Sequence, residues 1–324
     1  MLSIQEYQDY FLSHLKTYAV AQEPKHLYEP AEYILNLGGK RLRPVLTLMT
    51  TDIFNGHYKE ALQAAMCVEV FHNFTLVHDD IMDAAPLRRG QETVHEKWDV
   101  NTGILSGDAM LIIAYRFLEN YSAETFKSLF SIFNKTALEV CEGQQYDVDF
   151  ETRNDVTIPE YLKMIEYKTA VLVGCAMKMG AIIAGASVND QVRIYEFGKN
   201  LGIAFQLQDD YLDAFGDPET FGKQVGGDII ENKKTFLYLK ALEYSKGSDR
   251  ENLKTLFSSN PEDPSEKIKT VKQLFKTSGA AEETKKAIED YSKKAYAVLN
   301  DLDISDAHKS VLKDFGDKLM NRTV

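Results

Sequence analysis

The chain has 324 residues, 44% of them apolar, and a formal net charge of −12. That supplies a sizeable core, and the acid excess excludes nucleic acid and anionic membrane surfaces as partners, since both call for a basic patch. Cys67, Cys141 and Cys175 are odd in number and form no CxxC pair, so they are expected to be reduced core thiols of a cytoplasmic protein.

Taken in chain order, the periodicity is helical almost throughout. The first segment, "SIQEYQDYFLSHL", spaces its apolar residues three and four apart and lacks the basic and apolar regions of a signal peptide. The same spacing recurs in "ALQAAMCVEVFHNFTLV", "GDAMLIIAYRFLENY" and "FKSLFSIFNKTALEVCEGQQYDV". Thr157 to Glu160 reads as a capping box with proline in the first turn, opening a helix through "EYLKMIEYKTAVLVGCAMKMGAIIAG". Asn189 or Asp190 is the expected cap of the next helix, which carries "VRIYEFGKNLGIAFQLQDDYLDAFGD". The helix ending at Asp83 and the one from about Glu160 to Gly185 are apolar nearly all round, which suits the middle of a bundle. The polar stretch Ser245 to Lys267 holds two prolines and is expected to be a surface excursion before amphipathic helices resume. No segment has strand character, no run approaches the roughly eighteen apolar residues of a membrane span, and one large all-α domain is expected.

The chemistry gathers at two places. "LVHDDIMD" holds Asp79, Asp80 and Asp83, and "QDDYLD" repeats the pattern at Asp209, Asp210 and Asp213. Chance gives two such patterns in roughly one chain of a hundred at this aspartate content. In each, the first and third carboxylates are i and i+4 on one helix face, about 6 Å apart at Cβ, and repel unless a cation lies between them. Magnesium fits, because it takes oxygen ligands and bridges one or two carboxylates to a phosphate. A solvated acidic face is the bland alternative, and the matched second copy argues against it. Among the cations, Lys40 and Arg43 follow Gly38-Gly39, where backbone can approach an anion closely. Arg88 and Arg89 can grip phosphate oxygens bidentately. His72 stands seven residues before Asp79, near the same helix face.

In order and spacing, "GGKRLRP", "LVHDDIMD" with "RRG", "YKTA", "FQLQDDYLDAFGD", "GKQVGGDI" and "NKKT" resemble the trans-polyprenyl diphosphate synthases, from about residue 30 to about 240. The segment "HNFTLVHDDIMD" is most similar to the archaeal type that makes geranylgeranyl diphosphate. The resemblance implies the isoprenoid synthase fold, a helical bundle around a central active-site cavity and usually a homodimer, joining isopentenyl diphosphate to dimethylallyl, geranyl or farnesyl diphosphate. It implies that both aspartate patterns bind magnesium, about three ions with the diphosphate and manganese as a substitute, with Asp79, Asp83 and Asp209 as direct ligands. It gives Lys40, Arg43, His72 and Arg89 to isopentenyl diphosphate, and Arg88, Lys168, Lys223 and Lys233 to the allylic diphosphate. Thr169 and Gln206 would shield the allylic cation, together with the carbonyl of Lys168. One departure is that "GGDIIENKK" carries an extra residue before Lys233 relative to some members, so Lys233 and Lys234 could exchange roles.

Phe74 and Phe71 lie five and eight residues before Asp79, about 7.5 and 12 Å down a straight helix, where an aromatic can close a tunnel for the growing chain. By the resemblance, an aromatic at Phe74 beside the small Thr75 favours a twenty-carbon product, with farnesyl diphosphate as the alternative. Two rivals remain at this stage. A terpene cyclase would pair its aspartates with a mixed Asn/Ser/Glu motif and would not need "GGKRLRP". A non-catalytic regulatory subunit of a prenyl synthase commonly lacks one of the two clusters, and both are intact here.

Overall fold

A computed structural model describes residues 1–17, 23–217 and 226–320. The fold is all-α, and the residues divide into two compact units: 1–135 with 175–192, and 136–174 with 193–324. The divisions at 135, 174 and 192 fall inside helices rather than in polar linkers.

The first unit contains α1 (Ile4–Thr17), α2 (Lys25–Asn36), α3 (Leu42–Ile53), α4 (Leu62–Met82), the single turn α5 (Val94–Lys97) and α6 (Val100–Phe117). It also takes the start of α7 (Ala123–Thr152). Helix α4 is buried without interruption from Ala64 to Phe71, as a helix apolar on every side must be. Its acidic end lies against a notch in α6. A Cβ at Gly107 would stand 2.3 Å from His78 Nε2, and one at Gly103 would stand 2.8 Å from Ile81 Cδ1. Larger residues there would push away the turn that carries Asp79 and Asp80. Between α4 and α5 the chain makes a hairpin too short to read as strands: β1 (Leu87–Arg88) pairs with β2 (Gln91–Glu92) across Arg89-Gly90. Both loop residues have positive φ, the backbone a tight two-residue hairpin requires.

The second unit continues α7 and adds α8 (Ile158–Ile165), the start of α9 (Val171–Ile183) and most of α10 (Val188–Phe215). After these come α11 (Gly227–Ile230), α12 (Phe236–Tyr244), α13 (Gly247–Leu256), α14 (Ser265–Thr277), α15 (Ala280–Asn300) and α16 (Asp306–Met320). Phe150, Tyr161, Ile165, Leu207, Phe236 and Phe275 are among the residues of its core. The capping box forms as expected, with Thr157 N donating to Glu160 Oε2 at 2.8 Å and Glu160 N to Thr157 Oγ1 at 3.4 Å.

Four local expectations are corrected. The cap of α10 is Ser187, whose Oγ accepts from Asp190 N at 3.1 Å while donating to Asp190 Oδ2 at 2.6 Å. Cys141 is exposed, whereas Cys67 and Cys175 are core thiols. The polar stretch from Ser245 contains α13 and ends on Lys267, which is buried. Finally, the apolar helix from Glu160 is not continuous. Residues Glu166–Ala170 open into one wide π turn, closed by Val171 N–H donating to Glu166 O.

Candidate active site

Helix α4 delivers three carboxylates to its C-terminal end, where the helix dipole is itself negative and cations are favoured. Asp83 N donates to Asp79 O at 2.9 Å, so the turn holding the outer pair is helical and both lie on one face. Asp79 is half-buried and Asp83 exposed. Asp80 is different: it is fully buried, and Arg88 Nε reaches its two oxygens at 2.7 and 2.8 Å, with a further nitrogen at 2.6 Å. Burial pushes the Asp80 carboxyl up, and the Arg88 guanidinium offsets this only in part. The hairpin turn aims Arg88 inward and its neighbour Arg89 outward. The middle aspartate is thus an anchor for the hairpin, while the outer two remain on the accessible side.

Basic residues from α3 and the hairpin converge beside α4. Gly38, Gly39 and Arg41 all have positive φ, which turns the chain sharply into α3. Arg89 donates to Gly38 O and covers Gly39, where a Cβ would lie 2.7 Å from the guanidinium carbon. Arg41 points inward instead, donating to Glu69 and to Leu35 O, and Asn73 Nδ2 supports Glu69 Oε1 at 3.1 Å. Arg43 Nη1 lies 3.2 Å from His72 Nε2. Burial first, then Arg43, Arg89, Arg88 and Arg41, hold His72 well below its ordinary value. His72 is therefore neutral, with Nε2 accepting from Arg43 and the proton on Nδ1. Lys40, at the mouth of this turn, is exposed.

The neutral state of His72 fixes a sign. Its folded-state pKa lies below the unfolded value near 6.5, so its contribution to stability is complete above that pH and is lost as pH falls through it. Relative to a His72→Gln variant, the protein should lose more stability on going from pH 7.5 to 5.5. Urea unfolding at the two pH values checks this, and equal losses in both proteins would refute it.

In the second unit the same division of labour recurs. Asp210 is buried, accepts from the Tyr161 hydroxyl, and accepts from Gln206 Nε2 at 3.1 Å. Burial and then Asp228 push its carboxyl well up, against those two hydrogen bonds. Gln206 Oε1 in turn accepts from Thr169 Oγ1 at 3.2 Å, so the wide turn and the aspartate helix share one network. Asp213 accepts from Asp228 N at 3.0 Å, holding the start of α11, and Asp209 is half-buried. Lys168 Nζ is 2.6 Å from Asp147 Oδ2. Lys233 Nζ pairs with Glu231 at 2.9 Å; burial alone would lower it, but Asp228, Glu231 and Asp147 hold it above its ordinary value. Lys234 turns away and donates to Glu151 O at 2.8 Å. Gly143 of α7 makes the wide turn possible, since a Cβ there would stand 2.2 Å from the backbone nitrogen of Lys168.

The family model for polyprenyl synthetases matches residues 24–275. The chain belongs to the polyprenyl synthetase family. It is 42% identical over 240 residues to a geranylgeranyl diphosphate synthase of Sulfolobus acidocaldarius, covering 73% of this chain and 72% of that one. The crystal structure of a geranylgeranyl pyrophosphate synthase matches with TM-score 0.96 and 57% identity over 99% of both chains. A polyprenyl synthase from Caulobacter crescentus, complexed with calcium and isoprenyl diphosphate, matches with TM-score 0.87 and 28% identity over 99% of this chain and 97% of that one.

In this polyprenyl synthetase chain, Lys223 lies outside the described residues. Of the expected chain-length residues, Phe71 is fully buried against Phe133, with ring centres 5.2 Å apart, and Phe74 packs on Phe71 and on His78. Thr75 is half-buried and donates to His72 O at 2.8 Å. Sequence reasoning missed Asp147, Tyr161 and Asp228, which hold Lys168, Asp210 and the field around Lys233. Asp228 lies inside the family-like "GGDI", whereas Asp147 and Tyr161 lie in segments that stood out for helical periodicity alone. A lone tyrosine or aspartate at helical spacing carries no such signal.

Proposed function

We propose that this chain is a magnesium-dependent prenyltransferase that joins isopentenyl diphosphate head-to-tail to allylic diphosphates, with geranylgeranyl diphosphate as its product. The observation that carries the reading is the repeated split within each aspartate pattern. One carboxylate is buried and tied to protein partners (Asp80 to Arg88, Asp210 to Tyr161 and Gln206), while Asp79, Asp83 and Asp209 keep some exposure. The donor set fits a hard cation. It is carboxylate oxygen, and the histidines nearest the first cluster are committed, His72 to Arg43 and His78 to Ile104 O. Among the described residues no three His, Cys, Asp or Glu side chains group closely enough to hold a metal by themselves. Magnesium completed by water and diphosphate oxygens suits such a site.

Bound magnesium would neutralise the negative charge that grows on the departing diphosphate. The chain's own residues do the rest. Arg88, Lys168 and Lys233 add positive charge toward the allylic diphosphate, each already oriented by a carboxylate partner. Thr169 and Gln206 are locked to each other and to Asp210, so they present dipoles to an allylic cation without offering it a free nucleophile. Lys40, Arg43 and Arg89 hold isopentenyl diphosphate, and neutral His72 aims Arg43. The proton lost after carbon–carbon bond formation goes to the released pyrophosphate, so no side-chain base is called for. The reading includes a homodimer; Leu105 and Ile112, exposed seven residues apart on α6, suit a covered face.

Product length follows from the aromatic stack under Asp79. Mass spectrometry of products from dimethylallyl, geranyl and farnesyl diphosphates, each with isopentenyl diphosphate and Mg²⁺, should give a twenty-carbon diphosphate from all three starters. Phe74→Ala should lengthen the product by at least about one five-carbon unit, and Phe71→Ala should do so while costing about 3–5 kcal/mol of stability. An unchanged product in both variants would remove the tunnel-floor role, and no prenyl elongation by the native chain would remove the proposed function.

A further inference from the structure

Lys233 and Lys234 are adjacent, so one backbone cannot present both to the second aspartate cluster, and something must choose between them. The choice is made in the turn after α11. Asn232 N donates to Ile229 O at 3.3 Å and Lys233 N to Asp228 O at 2.9 Å, with Asn232 at φ 59°. This is the paired hydrogen-bond signature of a helix end that favours glycine at the left-handed position. The residue here is asparagine, and both ends of its amide are used. Its Nδ2 donates to Asn260 Oδ1 at 2.7 Å, and its Oδ1 accepts from Lys267 Nζ at 2.7 Å.

Lys267 is only 4% exposed, on α14, and its ammonium also donates to Ser259 O at 2.9 Å and lies 3.5 Å from Ile230 O. Burying an ammonium among neutral oxygens is costly compared with an apolar side chain of the same length. The oxygens it gathers all belong to two stretches of chain, the α11 turn and the loop before α14. Downstream of that tie, Lys233 pairs with Glu231 at 2.9 Å, within the field of Asp228 and Asp147, while Lys234 is turned to Glu151 O.

We propose that Lys267 and Asn232 form an internal clamp that sets the rotation of the α11 turn and so selects Lys233, not Lys234, as the diphosphate-facing lysine. Both are positioning residues acting through Lys233. The inference rests on the proposed function, in which the second cluster receives an allylic diphosphate.

The test is a set of double-mutant cycles read by steady-state kinetics on the full-length enzyme with farnesyl and isopentenyl diphosphates. In the native background Lys233→Ala should raise KM for the allylic substrate about tenfold or more, and Lys234→Ala less than about twofold. With Lys267→Met, the Lys233→Ala penalty should shrink to about threefold or less and the Lys234→Ala penalty should grow, with kcat little changed. Asn232→Gly keeps the helix-end backbone and removes only the side-chain tie, so it should produce the same exchange with Tm preserved. If the Lys233→Ala penalty stays at its native size in Asn232→Gly, whatever Lys267→Met does to folding, the clamp is overturned and the proposed function stands. If Lys233→Ala has no effect on KM in the native enzyme, it is the diphosphate-binding reading of Lys233 that fails, and the clamp with it.

Discussion

Under the proposed function, Asp79→Asn and Asp83→Asn are each expected to lower kcat by about a thousandfold, because each removes a carboxylate from the face that would receive magnesium, and the lost charge stabilisation is several kcal/mol. Asp80→Asn is expected to behave differently. Asp80 is buried and answers Arg88, so its replacement breaks a desolvated ion pair and costs about 3 kcal/mol of stability. The activity that remains should respond to higher Mg²⁺ as the native enzyme does, since the outer carboxylates are still present. Thermal melts and Mg²⁺ dependence of kcat for the three variants separate the two behaviours. Equal Tm losses and equal kcat losses for all three would erase the distinction between anchor and ligand.

Gly143→Ala is expected to be among the most damaging single methyl additions at the described glycines. Its Cβ would stand 2.2 Å from Lys168 N and 2.7 Å from the Lys168 Cα, both backbone atoms that cannot rotate aside. Either α7 moves away or the wide turn Glu166–Ala170 closes, and both displace Lys168 from Asp147 and Thr169 from Gln206. Overpacking of this kind costs about 1–3 kcal/mol or more. The misplaced groups should lower kcat by about a hundredfold. A Gly143→Ala enzyme with native Tm and kcat would show that the close approach is not needed.

The main features of this fold were legible from periodicity because the helices are long and their apolar faces regular. Helix α4 shows this best: a run buried from Ala64 to Phe71 reads as an interior helix before any coordinate is known. What escaped the sequence was geometry that breaks the period locally. The wide turn at Glu166–Ala170 lies within an unbroken apolar pattern, and the residue that permits it, Gly143, is on another helix. The hairpin at Arg88 and Gln91 is too short for alternation to register, although Arg89-Gly90 carries the turn. For the site, the acidic patterns and the basic residues were visible as types at spacings. Their inequality was not. That Asp80 and Asp210 are buried anchors depends on Arg88 and Tyr161 arriving from other segments, which spacing within one helix cannot report. Arg41 is similar: in "GGKRLRP" it looks equivalent to Arg43, yet a left-handed backbone sends it inward to Glu69.

Everything in the catalytic account depends on divalent ions held by the outer aspartates drawing a diphosphate off its carbon. The most direct measurement is pyrophosphate release and prenyl product formation from farnesyl and isopentenyl diphosphates during a titration of free Mg²⁺, beginning in excess chelator, for the native enzyme and Asp83→Asn. The account predicts no turnover in chelator, full recovery of a twenty-carbon product as Mg²⁺ is restored, and a displaced, weakened recovery in Asp83→Asn. Undiminished turnover in chelator, or an identical Mg²⁺ response in both proteins, would contradict it.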